Sequence, residues 1–411
     1  MYMRIGYIFI LVIFISSFKL NGQETGHDFL TIDTLTKREV YEKLIFTVKS
    51  KYSPDARTSI FDIKSQTNRN GEVFLTGKTN LIDAYEEIRR IFSERKFFYT
   101  DSIKLLPDLT MNEKFYGVIN NSVSSHRTKP LYASELATQS LLGTPVDILE
   151  KSGNWYCVQT PDNYISWVDY GAIQLMTKAE INSWLNARKI IYWKQCGQSY
   201  KEPNVKSQTV SDLVICNVLK YVSTKGKFIQ VEYPDGRLAY VKKTDCRDYE
   251  EWLKNANPTP ENIVKTANQF MGLTYLWGGT SSKAVDCSGF TKMVYLMNGL
   301  IIQRDASQQA LYGEIIASNS QFENIRPADL LFFGEKDADS NKNSVIHVGL
   351  YLGNFDFIHA AGFVRVNSFD KSSPVFSQYR MNTFLQAKNY TAHIGSAGIV
   401  RISECKLYRN R

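Results

Sequence analysis

The segment Asp286-Cys287-Ser288-Gly289-Phe290 marks the start of a helix in the last third of this 411-residue chain. Apolar residues follow helical spacing from Phe290 onward, and Gly299 is a natural end for such a helix. Asp286 is expected at the N-cap, which places Cys287 in the first turn, where free N–H groups and the helix dipole stabilise an anion. The thiolate is the reactive form of cysteine, so we expect Cys287 to have a lowered pKa and to act as a nucleophile. A small buried structural cysteine is the alternative.

Two histidines further along the chain are candidate bases. His347 interrupts an apolar strand at 345–352, and His359 follows in Phe357-Ile358-His359-Ala360. A neutral imidazole beside a thiol can accept its proton, and a second polar group can orient the first ring. Either histidine alone could be a hydrogen-bonded core residue. Two histidines on adjacent strands, downstream of a helix-start cysteine, favour a catalytic pair.

The residues between the histidines indicate a hairpin, with Gly353-Asn354 as its turn. A strict two-residue turn at this point would place the two histidine rings on opposite faces of the sheet, because strand side chains alternate. The proposed chemistry needs both rings together. We therefore predict either a three-residue loop or a β-bulge that shifts the register by one residue.

Short alternating strands separated by turn residues precede this region and are typical of small β-barrels. The pattern occurs twice, which indicates two copies of one module. The strands and turn of the first copy lie at 155–158, 160–163 and 164–168, and those of the second at 228–231, 233–236 and 238–241. We predict the two modules at 113–180 and 190–250.

The remaining boundaries follow from composition. Arg4 precedes an apolar run at 5–18 that is short for a membrane span, so residues 1–22 are predicted to be a secretory signal peptide, with a retained anchor as the alternative. Residues 23–112 are predicted to be mainly helical, because 35–48 and 81–98 have helical apolar spacing. Asn257-Pro258-Thr259-Pro260 then opens the last domain, 255–405.

Charge and cysteine usage restrict the partners. The net charge of +8 is modest and spread along the chain, without a basic stripe, so a nucleic acid is not expected as a partner. The six cysteines show no C-x-x-C spacing, which argues against a zinc site. No later segment is long and apolar enough to span a membrane. We expect a monomer without metal or cofactor.

Four segments together resemble one family, the NlpC-type cell-wall peptidases, which are papain-like. They are Tyr275-Leu276-Trp277-Gly278-Gly279, Asp286-Cys287-Ser288-Gly289-Phe290, the stretch His347-Val348-Gly349-Leu350, and Phe357-Ile358-His359-Ala360. The resemblance implies an α+β fold, in which a papain-like catalytic domain follows two small SH3-like β-barrels. In that domain the helix bearing the cysteine packs on an antiparallel sheet. With its two modules, the chain is similar to gamma-D-glutamyl-L-diamino acid endopeptidases, which implies cleavage after D-glutamate without a metal.

The resemblance also implies roles for individual residues. Cys287 matches the nucleophile, His347 the base and His359 the orienting residue, while Tyr275 and nearby backbone N–H groups would stabilise the oxyanion. The substrate-binding residues that it implies are Tyr275, Trp277, Asp286, Ser288, Glu135, Tyr164 and Ser307.

Two of these residues lie in loops of the first module, and a third stands next to a departure from the family pattern. Glu135 and Tyr164 lie in the first SH3-like module, which in similar proteins closes one end of the cleft and helps to select a free N-terminal L-alanine. Relatives often have serine after the Arg-Asp pair at 304–305, whereas this chain has Ala306 followed by Ser307. The pocket hydroxyl is then either shifted, with Ser307 as the candidate, or absent.

Two other functions fit the same sequence. One is an amidase that cuts between N-acetylmuramic acid and L-alanine on the same fold, and the other is a non-catalytic protein that binds the cell wall. The intact cysteine and paired histidines argue against the second. The sequence leaves open whether the diamino acid is diaminopimelate or lysine, and whether the substrate is intact wall or released muropeptides.

Overall fold

A computed structural model describes residues 28–318, 322, 324–336 and 343–410 of the chain. The predicted signal peptide at 1–22 lies outside the described residues. None of the helices within those ranges combines the length and apolar character needed to cross a membrane.

The N-terminal domain contains two helices and a three-stranded sheet. Its elements are α1 (Asp28–Tyr52), β1 (Phe61–Thr67), β2 (Val73–Thr79), α2 (Ile82–Glu94) and β3 (Thr100–Leu105). Strands β1 and β2 are antiparallel, and β2 and β3 are parallel. The expectation of a mainly helical segment located both helices but missed the sheet. The buried face of β1 consists of Phe61, Ile63 and Ser65, so its alternation of apolar residues was too short to detect.

Two seven-stranded barrels follow. The first contains β4 (Tyr116–Ile119), β5 (Val123–Arg127), β6 (Leu136–Leu141), β7 (Pro145–Ser152), β8 (Trp155–Gln159), β9 (Ile165–Asp169) and β10 (Ile173–Met176). The second contains β11 (Lys189–Tyr192), β12 (Cys196–Tyr200), β13 (Thr209–Val214), β14 (Val218–Lys225), β15 (Phe228–Glu232), β16 (Leu238–Lys242) and β17 (Cys246–Asp248). Helices α3 (Lys178–Asn186) and α4 (Tyr249–Lys254) follow the first and second barrel respectively.

The two barrels share one topology. The strand order is β10-β4-β7-β8-β9-β5-β6 in the first and β13-β12-β16-β15-β14-β11-β17 in the second. If the strands of each barrel are numbered 1 to 7 along the chain, both barrels have the strand order 7-1-4-5-6-2-3. The prediction of a duplicated SH3-like module is confirmed by this identity of topology.

The C-terminal domain packs helices against an antiparallel sheet. Its helices are α5 (Pro260–Asn268), α6 (Cys287–Met297), α7 (Ala306–Gln309) and α8 (Gln378–Thr383). Its strands are β18 (Thr280–Ser281), β19 (Ala284–Val285), β20 (Leu300–Ile302), β21 (Glu314–Ser318), β22 (Leu330–Lys336), β23 (Asn343–Gly353), β24 (Asp356–Ala361), β25 (Phe363–Ser368), β26 (Phe384–Asn389) and β27 (Ile399–Arg401). The central sheet has the order β21-β26-β22-β23-β24-β25, and α6 packs on β23 and β24. The predicted papain-like arrangement is confirmed.

The first barrel is joined to the C-terminal domain by buried polar contacts. Lys292 on α6 pairs with Asp162 of the barrel, and both side chains are largely buried. Nε of Arg304 donates to Oγ1 of Thr138, 2.8 Å away. A buried cation without such partners would be strongly destabilising, so these contacts fix the barrel in one position beside the start of α6.

Candidate active site

The start of α6 places Cys287 as the sequence predicts. Asp286 is the N-cap, and its Oδ1 accepts a hydrogen bond of 2.7 Å from the N–H of Gly289. A Cβ at position 289 would lie 2.0 Å from the carbonyl oxygen of Gly279, so only glycine fits this turn. Cys287 is therefore held in the first turn, where the helix packs on the strand that carries His347.

The protonation of Cys287 differs from the expectation. Burial raises the pKa of the thiol to about 11, and the neighbouring Asp286 carboxylate acts in the same direction. Hydrogen bonds from backbone N–H groups of Val348 and Ser288 favour the thiolate but do not outweigh burial. The predicted lowering of the pKa is wrong for the free protein, because the side chain is only 8% exposed. The resting residue is a neutral thiol that needs a base.

The histidine hairpin contains the predicted β-bulge. Leu350 pairs with Ile358, whereas Gly353 pairs with Asp356, and the register shifts between Tyr351 and Gly353. The prediction of a one-residue shift is confirmed, but the position of the turn was wrong. The turn is Asn354-Phe355, where both residues have positive φ, of 52° and 67°. This is the combination that a type I′ hairpin requires.

The bulge brings both imidazoles to one face. Nε2 of His347 lies 2.8 Å from Nδ1 of His359, and Nε2 of His359 lies 2.8 Å from Oδ1 of Asn367 on β25. The amide Nδ2 of Asn367 donates to the carbonyl of Val375, which leaves its Oδ1 as the acceptor. His359 must then donate through Nε2 and accept through Nδ1.

This direction fixes the tautomer of His347. Its Nε2 donates to His359, so Nδ1 of the neutral ring carries the free lone pair. Burial lowers the pKa of His347 well below 6.5, and the cationic Arg380 nearby acts in the same direction. Burial likewise lowers the pKa of His359 to about 4. Both rings are neutral at pH 7, as a proton-accepting pair must be.

A buried ion pair holds the two residues on either side of Cys287. Nη2 of Arg304 lies 2.6 Å from Oδ2 of Asp286, and Nη1 lies 3.0 Å from Oγ of Ser288. Oδ2 of Asp286 also accepts from the N–H of Gly278 at 2.9 Å. Asp286 and Ser288 are thus bound within the protein, which makes them suited to holding the helix start as well as lining the site.

Cys287 lies in a cavity of about 450 Å³ between the C-terminal domain and the first barrel. All seven predicted substrate-binding residues line this cavity, namely Glu135, Tyr164, Tyr275, Trp277, Asp286, Ser288 and Ser307. The structure therefore brings together residues from two modules that are far apart in sequence. A cavity of this size accommodates a small peptide rather than a folded protein segment.

The far wall of the cavity is polar and partly exposed. Nε1 of Trp277 donates to Oε1 of Glu135 at 2.8 Å, and the Trp277 ring is 63% exposed. Tyr164 is buried, and its hydroxyl interacts with Asp305. Burial raises the pKa of Tyr275 to about 12, so its hydroxyl stays protonated and can donate.

Three residues of the site were missed from the sequence. Asn367 lies two positions beyond Arg365, the cross-strand partner of His359, so it can be identified only once the register of β24 and β25 is known. Arg304 was noted only as part of a motif. Arg57 reaches the cavity from the N-terminal domain, for which no chemical role was predicted. Among the described residues, no group of three or more His, Cys, Asp or Glu side chains is arranged to hold a metal ion.

Comparison with known sequences agrees with this geometry. Residues 272–387 match the NlpC/P60 family, and residues 126–173 match the bacterial dipeptidyl-peptidase SH3 domain. A gamma-D-glutamyl-L-lysine dipeptidyl-peptidase of Bacillus cereus is 30% identical over 236 residues, which cover 56% of this chain and 68% of the relative. Dipeptidyl-peptidase 6 of Lysinibacillus sphaericus is 30% identical over 266 residues, covering 61% and 90% respectively.

The chain belongs to the NlpC/P60 family and is a cysteine peptidase. Solved structures show the same fold. An NlpC/P60 protein from Bacillus cereus has a TM-score of 0.56 at 23% identity, covering 67% of this chain and 99% of that one. An NlpC/P60 endopeptidase from Photobacterium damselae has a TM-score of 0.52 at 16% identity, covering 85% and 84%.

Proposed function

We propose that this peptidase hydrolyses the bond between γ-D-glutamate and an L-diamino acid in peptidoglycan stem peptides or released muropeptides. The observation that carries the proposal is the shared cavity, in which Cys287 and the barrel residue Glu135 line the same small space. The Bacillus cereus relative, which is named a gamma-D-glutamyl-L-lysine dipeptidyl-peptidase, supports this substrate class.

The proposed reaction begins with proton transfer. Nδ1 of His347 accepts the thiol proton as the sulfur of Cys287 attacks the γ-carbonyl carbon of D-glutamate. The imidazolium that forms keeps its Nε2–H bond to His359, and His359 stays oriented by Asn367. Because both rings are neutral at rest, the charge pair forms only during attack.

Collapse of the tetrahedral intermediate releases the diamino acid, whose amine takes the proton from His347. Water then hydrolyses the thioester, with His347 again accepting a proton, and releases the free dipeptide. The protonated hydroxyl of Tyr275 and the N–H groups at the start of α6 are the donors proposed for the oxyanion.

A free N-terminal L-alanine is the proposed requirement on the other side of the bond. Glu135 has one oxygen bound to Trp277, and its second oxygen is available to an ammonium group. An acylated nitrogen carries no charge, so it could not form the ion pair with Glu135 that a free ammonium group would form. We also propose export, on the basis of Arg4 and the short apolar run that follows it within residues 1–22.

Mass analysis of defined peptides tests this function. Purified protein is given L-Ala-γ-D-Glu-L-Lys, its diaminopimelate counterpart, the N-acetylated form of each, and an intact N-acetylmuramoyl peptide. We expect release of the diamino acid from the free peptides, and at least tenfold slower cleavage of the acetylated ones. Release of N-acetylmuramic acid would instead establish the amidase, and equal rates on free and acetylated peptides would remove the proposed N-terminal requirement.

A matched pair of variants locates the recognition. Glu135→Gln keeps the hydrogen bond from Trp277 but removes the charge, so the preference for free over acetylated peptide should fall roughly tenfold. Glu232→Gln removes a carboxylate of the second barrel, which pairs with Lys220 away from the cavity, and should leave the preference unchanged. An unchanged preference in Glu135→Gln would exclude this residue from recognition.

A further inference from the structure

We propose that Arg57, from the N-terminal domain, is a specificity-determining residue that closes the end of the cleft receiving the N-terminus of the substrate. This inference rests on the proposed function and adds to it a wall supplied by a domain outside both matched segments, 126–173 and 272–387. Arg57 lines the same cavity as Cys287 and Glu135.

The loop that carries Arg57 is bound to the first barrel beside Tyr164. The N–H of Ile165 donates to the carbonyl of Arg57 at 2.7 Å, and Nε2 of Gln159 donates to the carbonyl of Thr58 at 2.9 Å. These bonds are made by backbone groups of the loop, so its path does not depend on the Arg57 side chain. The loop is therefore a fixed part of the cavity wall.

The guanidinium is held from two sides. Its Nε and Nη2 bind the two carboxylate oxygens of Asp55 at 2.9 and 2.8 Å. Its Nη1 donates to Oδ2 of Asp305 at 2.8 Å and to Oγ of Ser307 at 2.9 Å. Asp55 also accepts from Nε2 of Gln308 at 2.9 Å. This network locks the N-terminal domain onto the start of α7, whose residues line the cavity.

Charge balance indicates what this wall accepts. The cavity lining holds three carboxylates and two guanidinium groups, so it keeps an excess of one negative charge; these residues are Glu135, Asp286, Asp305, Arg57 and Arg304. Such a lining attracts a small ammonium group. An additional N-terminal residue would have to displace the guanidinium from Asp305 and Ser307, which costs a charge-assisted hydrogen bond. The wall therefore favours a peptide that ends at L-alanine.

The position of Ser307 fits this interpretation. The sequence suggested it as the hydroxyl that replaces the serine missing at Ala306. In the structure its oxygen accepts from Arg57, so the hydroxyl is engaged in holding the wall. Ala306 and Ser307 line the cavity together with Arg57.

Peptide length measures the effect of the wall. The ratio of kcat/KM for L-Ala-γ-D-Glu-L-Lys to that for the same peptide with an added N-terminal glycine is determined for each protein. Arg57→Ala opens the wall, so this ratio should fall roughly tenfold or more. Arg57→Lys keeps a cation that can reach Asp305 but cannot also bind both oxygens of Asp55. The kcat/KM ratio of this variant should therefore lie between those of wild type and Arg57→Ala.

Lys78→Ala is the control for domain docking. Lys78 pairs with Glu150 between the N-terminal domain and the first barrel, and it does not line the cavity. The kcat/KM ratio of Lys78→Ala should equal that of wild type. Thermal unfolding of each variant shows whether the variant is folded. If wild type discriminates and both Arg57 variants keep the wild-type ratio, the inference is overturned while the proposed function stands. If wild type does not cleave the γ-D-glutamyl bond at all, the proposed function itself fails.

Discussion

Nε2 of His347 lies 2.8 Å from Nδ1 of His359, on the same face of a hairpin whose register is shifted by one residue. Without the bulge the rings would point to opposite sides of the sheet. The amide of Asn367 sets the direction of this chain of hydrogen bonds, because its Oδ1 can only accept from His359. Asn367, two strands away, thus determines that Nδ1 is the unprotonated nitrogen of His347.

Removing the orienting ring should therefore lower turnover. We expect His359→Ala to reduce kcat about 100-fold, since the tautomer and orientation of His347 are no longer fixed, and Asn367→Ala to reduce it by about tenfold. Steady-state hydrolysis of the free tripeptide measures both. His393→Ala is the control, because His393 pairs with Glu314 outside the cavity. Activity of His359→Ala within twofold of wild type would contradict the assignment.

Buried neutral histidines should make the fold sensitive to acid. The folded pKa of His359 is lowered to about 4, and that of the buried His126 to about 3, against 6.5 for an unperturbed histidine. Below pH 6.5 the unfolded chain binds protons that the folded chain does not. Stability is thus complete above pH 6.5 and is lost progressively as the pH falls toward the folded values.

The protonation of His359 alone should lower the free energy of unfolding by about 2 kcal/mol between pH 7 and pH 5. Denaturant unfolding at pH 7 and pH 5 measures the free energy of unfolding directly. His359→Gln cannot be protonated, so its loss between the two pH values should be smaller than that of wild type. The same loss in both proteins would mean that this ring is not protected from protonation in the fold.

The buried pair of Asp286 and Arg304 should be important for stability. Arg304 is only 1% exposed and contacts the helix cap, Ser288 and the first barrel. Arg304→Met leaves the Asp286 carboxylate buried without its cation, which should lower the free energy of unfolding by about 3 to 5 kcal/mol. Arg90→Met removes an exposed helix pair with Glu94 and should leave stability close to wild type. A small effect at Arg304 would show that the fold does not depend on this buried ion pair.

Local chemistry made the positions of the main elements predictable from the sequence. The N-cap at Asp286, the helix after it and the need for a bulge all follow from spacing and strand parity. The turn at Asn354-Phe355 did not follow, because a phenylalanine with positive φ is rare. It is supported by a side-chain contact within the hairpin, in which the N–H of Phe355 donates to the hydroxyl of Tyr351.

Features that depend on tertiary packing could not be predicted from the sequence. The raised pKa of Cys287 results from burial under β23, and a helix start viewed alone suggests the opposite. Arg57 carries no motif, and it reaches the cavity only because its loop binds the first barrel and α7. Asn367 was hidden for a similar reason, since its relation to His359 exists only in the paired strands.

The central claim is that the thiol of Cys287 attacks the γ-D-glutamyl bond. The most direct measurement compares the products that wild type and Cys287→Ala form from L-Ala-γ-D-Glu-L-Lys, with circular dichroism to verify that both are folded. Wild type should release lysine and the L-Ala-γ-D-Glu dipeptide, and the folded alanine variant should release neither. Lysine release by Cys287→Ala at a rate near that of wild type would contradict the account.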